Sequence, residues 1–430
     1  MYALLRICEI SAELLEKESP DVKLCGRLAW MLNRNLIFAQ VVRALVVCAC
    51  LLGIWKSWII ARSDALFLHG TAESVRAAIR LEPDCWWCYV QLARLDESSA
   101  EQLLETSLRL NRYDSDATID LGLRYESDGD FKRAEELLLQ AFDVDRTYVP
   151  RWSLANFYFR RDNLPAFWMW VHRAMETPAD DMGGLFELCW RVSPDPKSLE
   201  ANLVEDNPDV VRQYIVFLIG KNRPAAAVNS AFTLLRTGSQ DSDQTLLFTL
   251  LDKLIHANDP IDANALWNRL IGLHWVEADT SFPNNPQFSR DPMPVDFDWN
   301  FPAYDGIHSW PGAIGLEAEF AGDEPENCVI AEQTIFLPPG NYRLESSYHT
   351  RNILPDTGVQ WQILESRSDN ILASSVSLSS DPLARVILPF VVRPDEQLLR
   401  LRLTYNRSLG TPKVSGTLVV TSVSIESGAS

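Results

Sequence analysis

The sequence predicts a multidomain α + β chain: an N-terminal transmembrane helix, then an α-solenoid of paired helices, then a C-terminal antiparallel β-sandwich. Three observations predict it. A long apolar run lies near the N-terminus, helical segments recur at a regular spacing after it, and the last third switches to period-two alternation. With 430 residues the chain has room for two or three domains, and 47% hydrophobic against 23% charged residues excludes a disordered chain. The net charge of −19 argues against a nucleic-acid binder with a general basic surface. That charge is unevenly spread. Residues 1–62 hold eight basic and five acidic side chains, a net +3, so the remainder carries −22.

The first element is the apolar run from Leu36 to Ala61, 26 residues interrupted by Gln40, Arg43, Lys56 and Ser57. About 20 apolar residues suffice to cross a hydrocarbon core as a helix. Arg43 and Lys56 sit near its two ends, where their stems can reach headgroups, and Trp55 and Trp58 suit an interfacial belt. The competing reading, a buried core helix, accommodates two cations poorly. Residues 1–35 are expected as a cytoplasmic segment. Lys23, Arg27 and Arg34 before the span nearly balance Arg62, Arg76 and Arg80 after it, so the orientation rests on a single anchor preceding a large acidic body. Lys56 and the lack of a small-residue cleavage site speak against a cleaved signal peptide, and Met31 is an alternative start to Met1.

Next come the paired helices, expected over residues 64–275. Ala78–Pro83, Ser107–Arg112 and Ala141–Arg146 align with one another at spacings of 29 and 34 residues. In the unit from Ser115 to Tyr148, Gly122 and Ala134 are small where two antiparallel helices must approach, and Gly129-Asp130 supplies the turn. Asp96–Ala100 is expected to close one helix early, and Trp168 stands where a small residue is expected. Val210–Leu218 with Ala225–Leu235, and Leu246–Ala257 with Ala263–Leu273, form two further pairs. Leu121, Gly122, Tyr125, Gly129, Ala134 and Ala141 fall where tetratricopeptide repeats place Leu, Gly, Tyr, Gly, Ala and Ala, so roughly residues 64–177 resemble that family.

The resemblance implies a scaffold whose first helices line a concave groove. It places Trp87, Arg94, Ile119, Leu123, Phe157, Arg160 and Arg161 there, an apolar and cationic set able to hold an extended peptide. The plainer alternative makes Phe157 a core residue and Arg160-Arg161 a solvated helix end. The Asn/Lys/Arg carboxylate clamp used by some of these repeats is not matched.

Residues 276–302, rich in Pro, Asn and Asp, read as a linker. The sandwich follows over 303–427, with eight expected strands at 313–320, 329–336, 341–349, 358–365, 371–378, 385–392, 398–405 and 414–426. Tyr342, Leu344, Ser346 and Tyr348, and Val359, Trp361 and Ile363, alternate in period two between Pro-Gly and Asp-Thr-Gly turns. The order of features, with the entry segment Asn285–Phe301 and the closing run Val414–Glu426, resembles carbohydrate-binding, galactose-binding-like jelly rolls. That resemblance implies a sugar module, with Trp299, Trp310, Tyr348, Trp361, Tyr405 and Arg407 as aromatic and basic candidates. Trp361 alternates with apolar neighbours and so reads as core; Trp299 and Trp310 fit either role.

Chemistry-bearing motifs are few. Cys85-Trp86-Trp87-Cys88 can be a structural disulfide, a redox pair or half a zinc site; no second such motif completes the last. Cys48 and Cys50 fall in the span. The six histidines show no metal-ligand spacing, and no nucleotide-binding or nucleophile-elbow motif is present. Glu317, Glu319, Asp323, Glu324 and Glu326 read as a solvated strand end and loop rather than a glycosidase acid pair. The sequence therefore predicts a non-enzymatic, single-pass protein without cofactor or metal, its bulk periplasmic or otherwise extracytoplasmic. Its first expected partner is a protein held by the repeats. The alternative is a glycan-binding accessory protein for cell-envelope polysaccharide biosynthesis or export.

Overall fold

The computed structural model describes residues 20–195, 207–237, 242–379 and 382–428. The first nineteen residues of the expected N-terminal segment, Met1 among them, lie outside the described residues. The chain forms two compact units, Met1–Phe157 and Tyr158–Ser430.

The first unit opens with α1 (Pro20–Leu68), a 49-residue helix. Its stretch Gln40–Leu68 is long and apolar enough to cross a membrane, and the apolar window is not buried inside the protein. The helix does not end with the apolar run at Ala61. It continues into the repeats, where Ser63 is 1% exposed and donates to the Ala78 carbonyl. Leu66 and Phe67 pack on a cluster of Val75, Ala78, Cys85, Cys88 and Leu92. The last two turns of α1 are thus the partner of α2 (Ala72–Leu81), which opens on a capping box made by Thr71 and Ser74.

The next pair is α3 (Trp86–Leu95) and α4 (Ala100–Leu110), with the early stop at Asp96 and a 3₁₀ turn at Glu97–Ser99. Then come α5 (Ser115–Ser127) and α6 (Phe131–Val144), capped by the Asp114 and Asp130 carboxylates. Gly122 is where these two helices touch: a Cβ there would stand 3.2 Å from Leu138 Cγ and 3.3 Å from the Ala134 carbonyl oxygen. Gly129 turns the chain between them at φ +86°. Helix α7 (Tyr148–Arg160) begins the next pair.

In the second unit the helices continue as α8 (Leu164–Met175), α9 (Gly183–Val192), α10 (Pro208–Gly220), α11 (Val228–Thr237), α12 (Asp243–His256) and α13 (Pro260–Gly272). The pairs α10–α11 and α12–α13 coincide with the two read from periodicity. Arg212 on α10 and the buried Asp243 of α12 join them through a 2.6 Å ion pair.

The segment after α13, expected as a linker, is not a free tether. Phe282, Phe288, Val295, Phe297 and Trp299 are all buried. Phe297 lies against Phe282 and, edge-on, against Trp267 of α13; Trp299 lies against Phe288 and Trp361 of the sandwich. Hydrogen bonds also stitch this segment to the sheet. The Asn284 N–H donates to Gln333, whose amide returns a bond to the Asn284 carbonyl, and Asn300 exchanges backbone bonds with Glu332. Pro and Asn content identifies irregular backbone here, while its apolar residues decide that the backbone is buried.

Among the described residues the sandwich has nine strands rather than the eight expected: β1 (Ile307–Gly312), β2 (Gly315–Phe320), β3 (Asn327–Phe336), β4 (Gly340–Arg351), β5 (Val359–Glu365), β6 (Ile371–Ser374), β7 (Ala384–Val392), β8 (Leu398–Asn406) and β9 (Gly416–Ser427). A five-stranded sheet runs β1-β2-β9-β4-β7 and a four-stranded sheet β3-β8-β5-β6, all pairs antiparallel. The additional strand is β1, whose Pro311 hides it from a strand pattern but is tolerated at a sheet edge. Between the sheets lie Leu316, Leu344, Val420 and Val423 from one and Trp361, Ile363, Leu401, Leu403 and Tyr405 from the other.

Candidate functional site

Two surfaces gather functional side chains, one in each unit. In the first unit, Arg94 in the last turn of α3 donates from Nε to Asp120 of α5 at 2.7 Å. This hydrogen bond, with the charge of Asp120 behind it, raises the guanidinium pKa further, so Arg94 stays cationic. The pair borders a notch of about 360 Å³ between α3, α4 and α5. Ala93, Ala100 and Leu104 supply its apolar lining, and Leu123 and Arg124 come from α5. Leu123 is 39% exposed. Trp87 is 38% exposed and lies two turns before Arg94, on the same side of α3. The α4–α5 contact beneath is held by the Tyr125 hydroxyl, which donates to Glu101 at 2.6 Å; that bond pushes the tyrosine pKa up to about 12.

The notch therefore unites Arg94 and Leu123, with Trp87 nearby. The remaining groove candidates lie elsewhere. Ile119 and Phe157 are buried in packing layers, 5% and 2% exposed. Arg160 and Arg161 are exposed at the end of α7 and belong to the second unit. Asp120 and Arg124 are notch residues that the sequence reading missed; Asp120 becomes significant only once α3 and α5 are side by side.

The second surface is the outward side of the five-stranded sheet. Strand register places Trp310, Glu317, Val419 and His349 in one row across β1, β2, β9 and β4. His308, Glu319, Thr417 and Arg351 form the row two residues along, on the same side of the pleat. The rings of His308 and Trp310 lie 4.6 Å apart at a 33° tilt, giving a half-open aromatic platform. Carboxylates of Glu317 and Glu319 and the Arg351 guanidinium belong to the same two rows. An aromatic face beside hydrogen-bonding groups suits the apolar face and hydroxyls of a sugar ring.

Of the six residues expected to read glycan, Trp310 is the one presented on this platform. Trp361 and Tyr405 are fully buried, and Trp299 and Tyr348 are 2% and 6% exposed, so none offers a ring to solvent. Trp299 donates its indole N–H to the Asn285 carbonyl, and the Tyr405 hydroxyl accepts from the Val414 N–H. Arg407 is engaged with Glu326 at 2.7 Å and the Thr411 carbonyl, clamping one loop to another. His308, His349 and Arg351 joined the platform only through strand pairing.

The carboxylate cluster after β2 needs one correction. Glu324 is fully buried, accepting from the Gly322 N–H, while Lys413 donates to the Asp323 and Glu324 carbonyls. Cys85 and Cys88 form a disulfide with a 5.3 Å Cα separation, and both are buried in the α1–α3 cluster. Burial raises the thiol pKa of Cys189, and that of Cys328 to about 11, away from nucleophilic use. Among the described residues no three His, Cys, Asp or Glu side chains are placed to hold a metal ion.

No family model matches this chain, and neither does any curated protein. Among solved structures it is similar to tetratricopeptide repeat proteins and to a carbohydrate-binding module, the two families its parts resemble. YrrB, described as a TPR protein with an unusual peptide-binding site, is 13% identical, with 48% of this chain and 95% of that one covered and a TM-score of 0.23. PilF of Pseudomonas aeruginosa is 12% identical, with 51% and 91% covered and a TM-score of 0.26. A CBM4 module is 15% identical, with 34% and 99% covered and a TM-score of 0.24.

Proposed function

We propose that this chain is a membrane-anchored, non-enzymatic adaptor that holds a protein segment on its helical repeats outside the cytoplasm. The observation that carries the reading is the notch between α3, α4 and α5, where exposed Leu123 adjoins the Arg94–Asp120 pair. An extended segment laid there would bury Leu123 and gain a charge-assisted hydrogen bond from Arg94. The apolar stretch of α1 supports the anchor, and its unbroken passage into the first repeat supports a receptor standing directly on the bilayer. The Cys85–Cys88 disulfide supports an oxidising compartment, hence the periplasmic or extracytoplasmic side.

The test is site-specific photo-crosslinking in the membrane-inserted full chain. A crosslinker at position 123 is expected to give one discrete adduct that Arg94→Glu abolishes. The same crosslinker at position 139, exposed on α6, is expected to give none. Equal labelling from both positions, or an adduct indifferent to Arg94→Glu, overturns the reading.

A second reading is favoured by the His308–Trp310 platform: a glycan-binding accessory protein in cell-envelope polysaccharide biosynthesis or export, using the five-stranded sheet as its sugar face. Titration with a polysaccharide panel, followed by tryptophan fluorescence, is expected to show saturable binding that Trp310→Ala removes. Binding that survives Trp310→Ala counts against the platform.

A further inference from the structure

A cleft of about 360 Å³ lies inside the second unit, where the end of α12 and the segment after α13 meet the outward side of β3 and β8. Apart from Ile255 its lining is polar, and it contains no aromatic ring besides the His256 imidazole. Part of that polar lining is already satisfied. Asp298 accepts from the Met293 and Trp299 N–H groups, and Glu332 accepts twice from Arg402. Another part has no protein partner. The amides of Asn258 and Asn300 and the hydroxyls of Thr334 and Ser366 make no side-chain hydrogen bond among the described residues. The Arg400 Nε–H is a buried donor without a partner. A buried unpaired donor is costly, so a ligand that draws the Arg400 side chain towards it and satisfies that N–H gains strongly.

The charges decide the ligand class. Asp296, Asp298 and Glu332 line the cleft together with Arg367 and Arg400, His256 Nδ1 lies 3.6 Å from Asp296, and Glu332 and Arg400 already hold counter-charges in Arg402 and Asp369. Opposite charges at similar number leave little net field to select an ion. The absence of a stacking ring in the cleft speaks against a flat aromatic ligand. What remains is a small neutral molecule rich in hydroxyls, donating to Asn side-chain oxygens and accepting from Arg400 and the Asn amides. The volume is at the low end of small-molecule sites, and walls from a helix, a connector, two strands and the β5–β6 turn suit a mono- or disaccharide or a chain end.

We propose that this cleft binds a neutral sugar, as a free mono- or disaccharide or as the terminal residue of a glycan, independently of the notch and of the sheet platform.

The experiment is saturation-transfer NMR on the detergent-solubilised full chain. The neutral probes are glucose, galactose, mannose, N-acetylglucosamine and their disaccharides; glucuronate and glucosamine are the charged ones. At least one neutral sugar is expected to bind, about tenfold more weakly after Asn258→Leu or Asn300→Leu, each a loss of one hydrogen-bonding amide. Arg400→Met is expected to weaken it further; the two Asn variants carry the test should that one fail to fold. The same Asn substitutions in a Trp310→Ala background are expected to show the same loss, which separates the cleft from the platform. Comparing a free disaccharide with a polymer ending in it tells whether the source is a metabolite or a chain end. The proposal is overturned if no neutral sugar binds at millimolar concentration, if the charged probes bind instead, or if both Asn variants bind as the parent does.

Discussion

The repeat helices of the first unit expose large apolar side chains beside its notch, whereas the sandwich of the second exposes aliphatic ones such as Ile371, Ile387 and Val391 and buries most of its rings. On the helices, Trp87, Leu95, Leu123 and Leu139 remain 37–42% exposed although each helix also feeds the core. Tyr348, Trp361 and Tyr405 of the sandwich, and Trp299 of the segment packed on it, are all at or below 6% exposure, whereas Trp310 on β1 and Tyr342 on β4 are half-open. Side-chain geometry accounts for the contrast. Successive residues turn by about 100° around a helix, so a side chain can sit at the margin between core and solvent. On a strand there are two sides only, and Trp361 shares its side with Val359 and Ile363. The helical unit therefore offers mixed, marginal surfaces, whereas the sandwich offers a ring where a residue of outward parity is aromatic, as at Trp310, or near the start of a strand, as at Tyr342.

The largest expected effect is at Trp361. Trp361→Ala should cost about 3–5 kcal/mol of stability by emptying a fully buried indole site beside Trp299. Trp310→Ala should cost less than about 1 kcal/mol, as for a surface change. Urea denaturation of the two variants checks this, and equal losses would break the distinction between buried and presented rings. Next is Gly122, where the helices leave no room for a branched side chain. Gly122→Val should cost about 1–3 kcal/mol through overpacking of α5 on α6, read as an earlier loss of helical circular dichroism on heating. No loss would mean that the close approach contributes little.

The smallest effect sharpens the comparison at the joint between helices and sandwich. Burial pushes the Asp252 carboxyl up to about 6, and burial raises Asp296 and Asp298 as well. The folded chain then holds these protons more tightly than the unfolded chain does. The added stability is absent above the raised values, grows as pH falls through about 6, and is complete below the unfolded value of about 4. The thermal midpoint of the second unit should rise by a few degrees between pH 7 and pH 5. Asp252→Asn should flatten that rise, because the amide oxygen can still accept from the Asp296 N–H without ionising. A midpoint that falls over the same range would show that other groups dominate the joint.

Much of the architecture was legible in the sequence. The Gly122, Gly129 and Ala134 pattern located one helix pair to within a few residues, and the alternation around Trp361 predicted its burial. Strand β1 was not legible: it is six residues long and contains Pro311. The segment after α13 reads as a linker because Pro and Asn record backbone irregularity, and nothing in them records that Phe297 and Trp299 meet Trp267 and Trp361. Of the platform, Trp310 stood out as an aromatic in a loop-rich stretch. Its companions did not, because His349 reaches the row through β9, which comes last in the chain.

What the sequence determined by itself was periodicity: which segments are helices, which are strands, and which side of each is apolar. That information is local, set by side chains within one or two turns or a few strand positions of each other. Only the tertiary structure decided that α1 runs on into the repeats, that the linker is core, and which outward residues share a sheet row or a cleft. Those outcomes depend on which distant edges and faces pair. The pairing is selected by the burial gained across the whole unit, and no local window of sequence contains it.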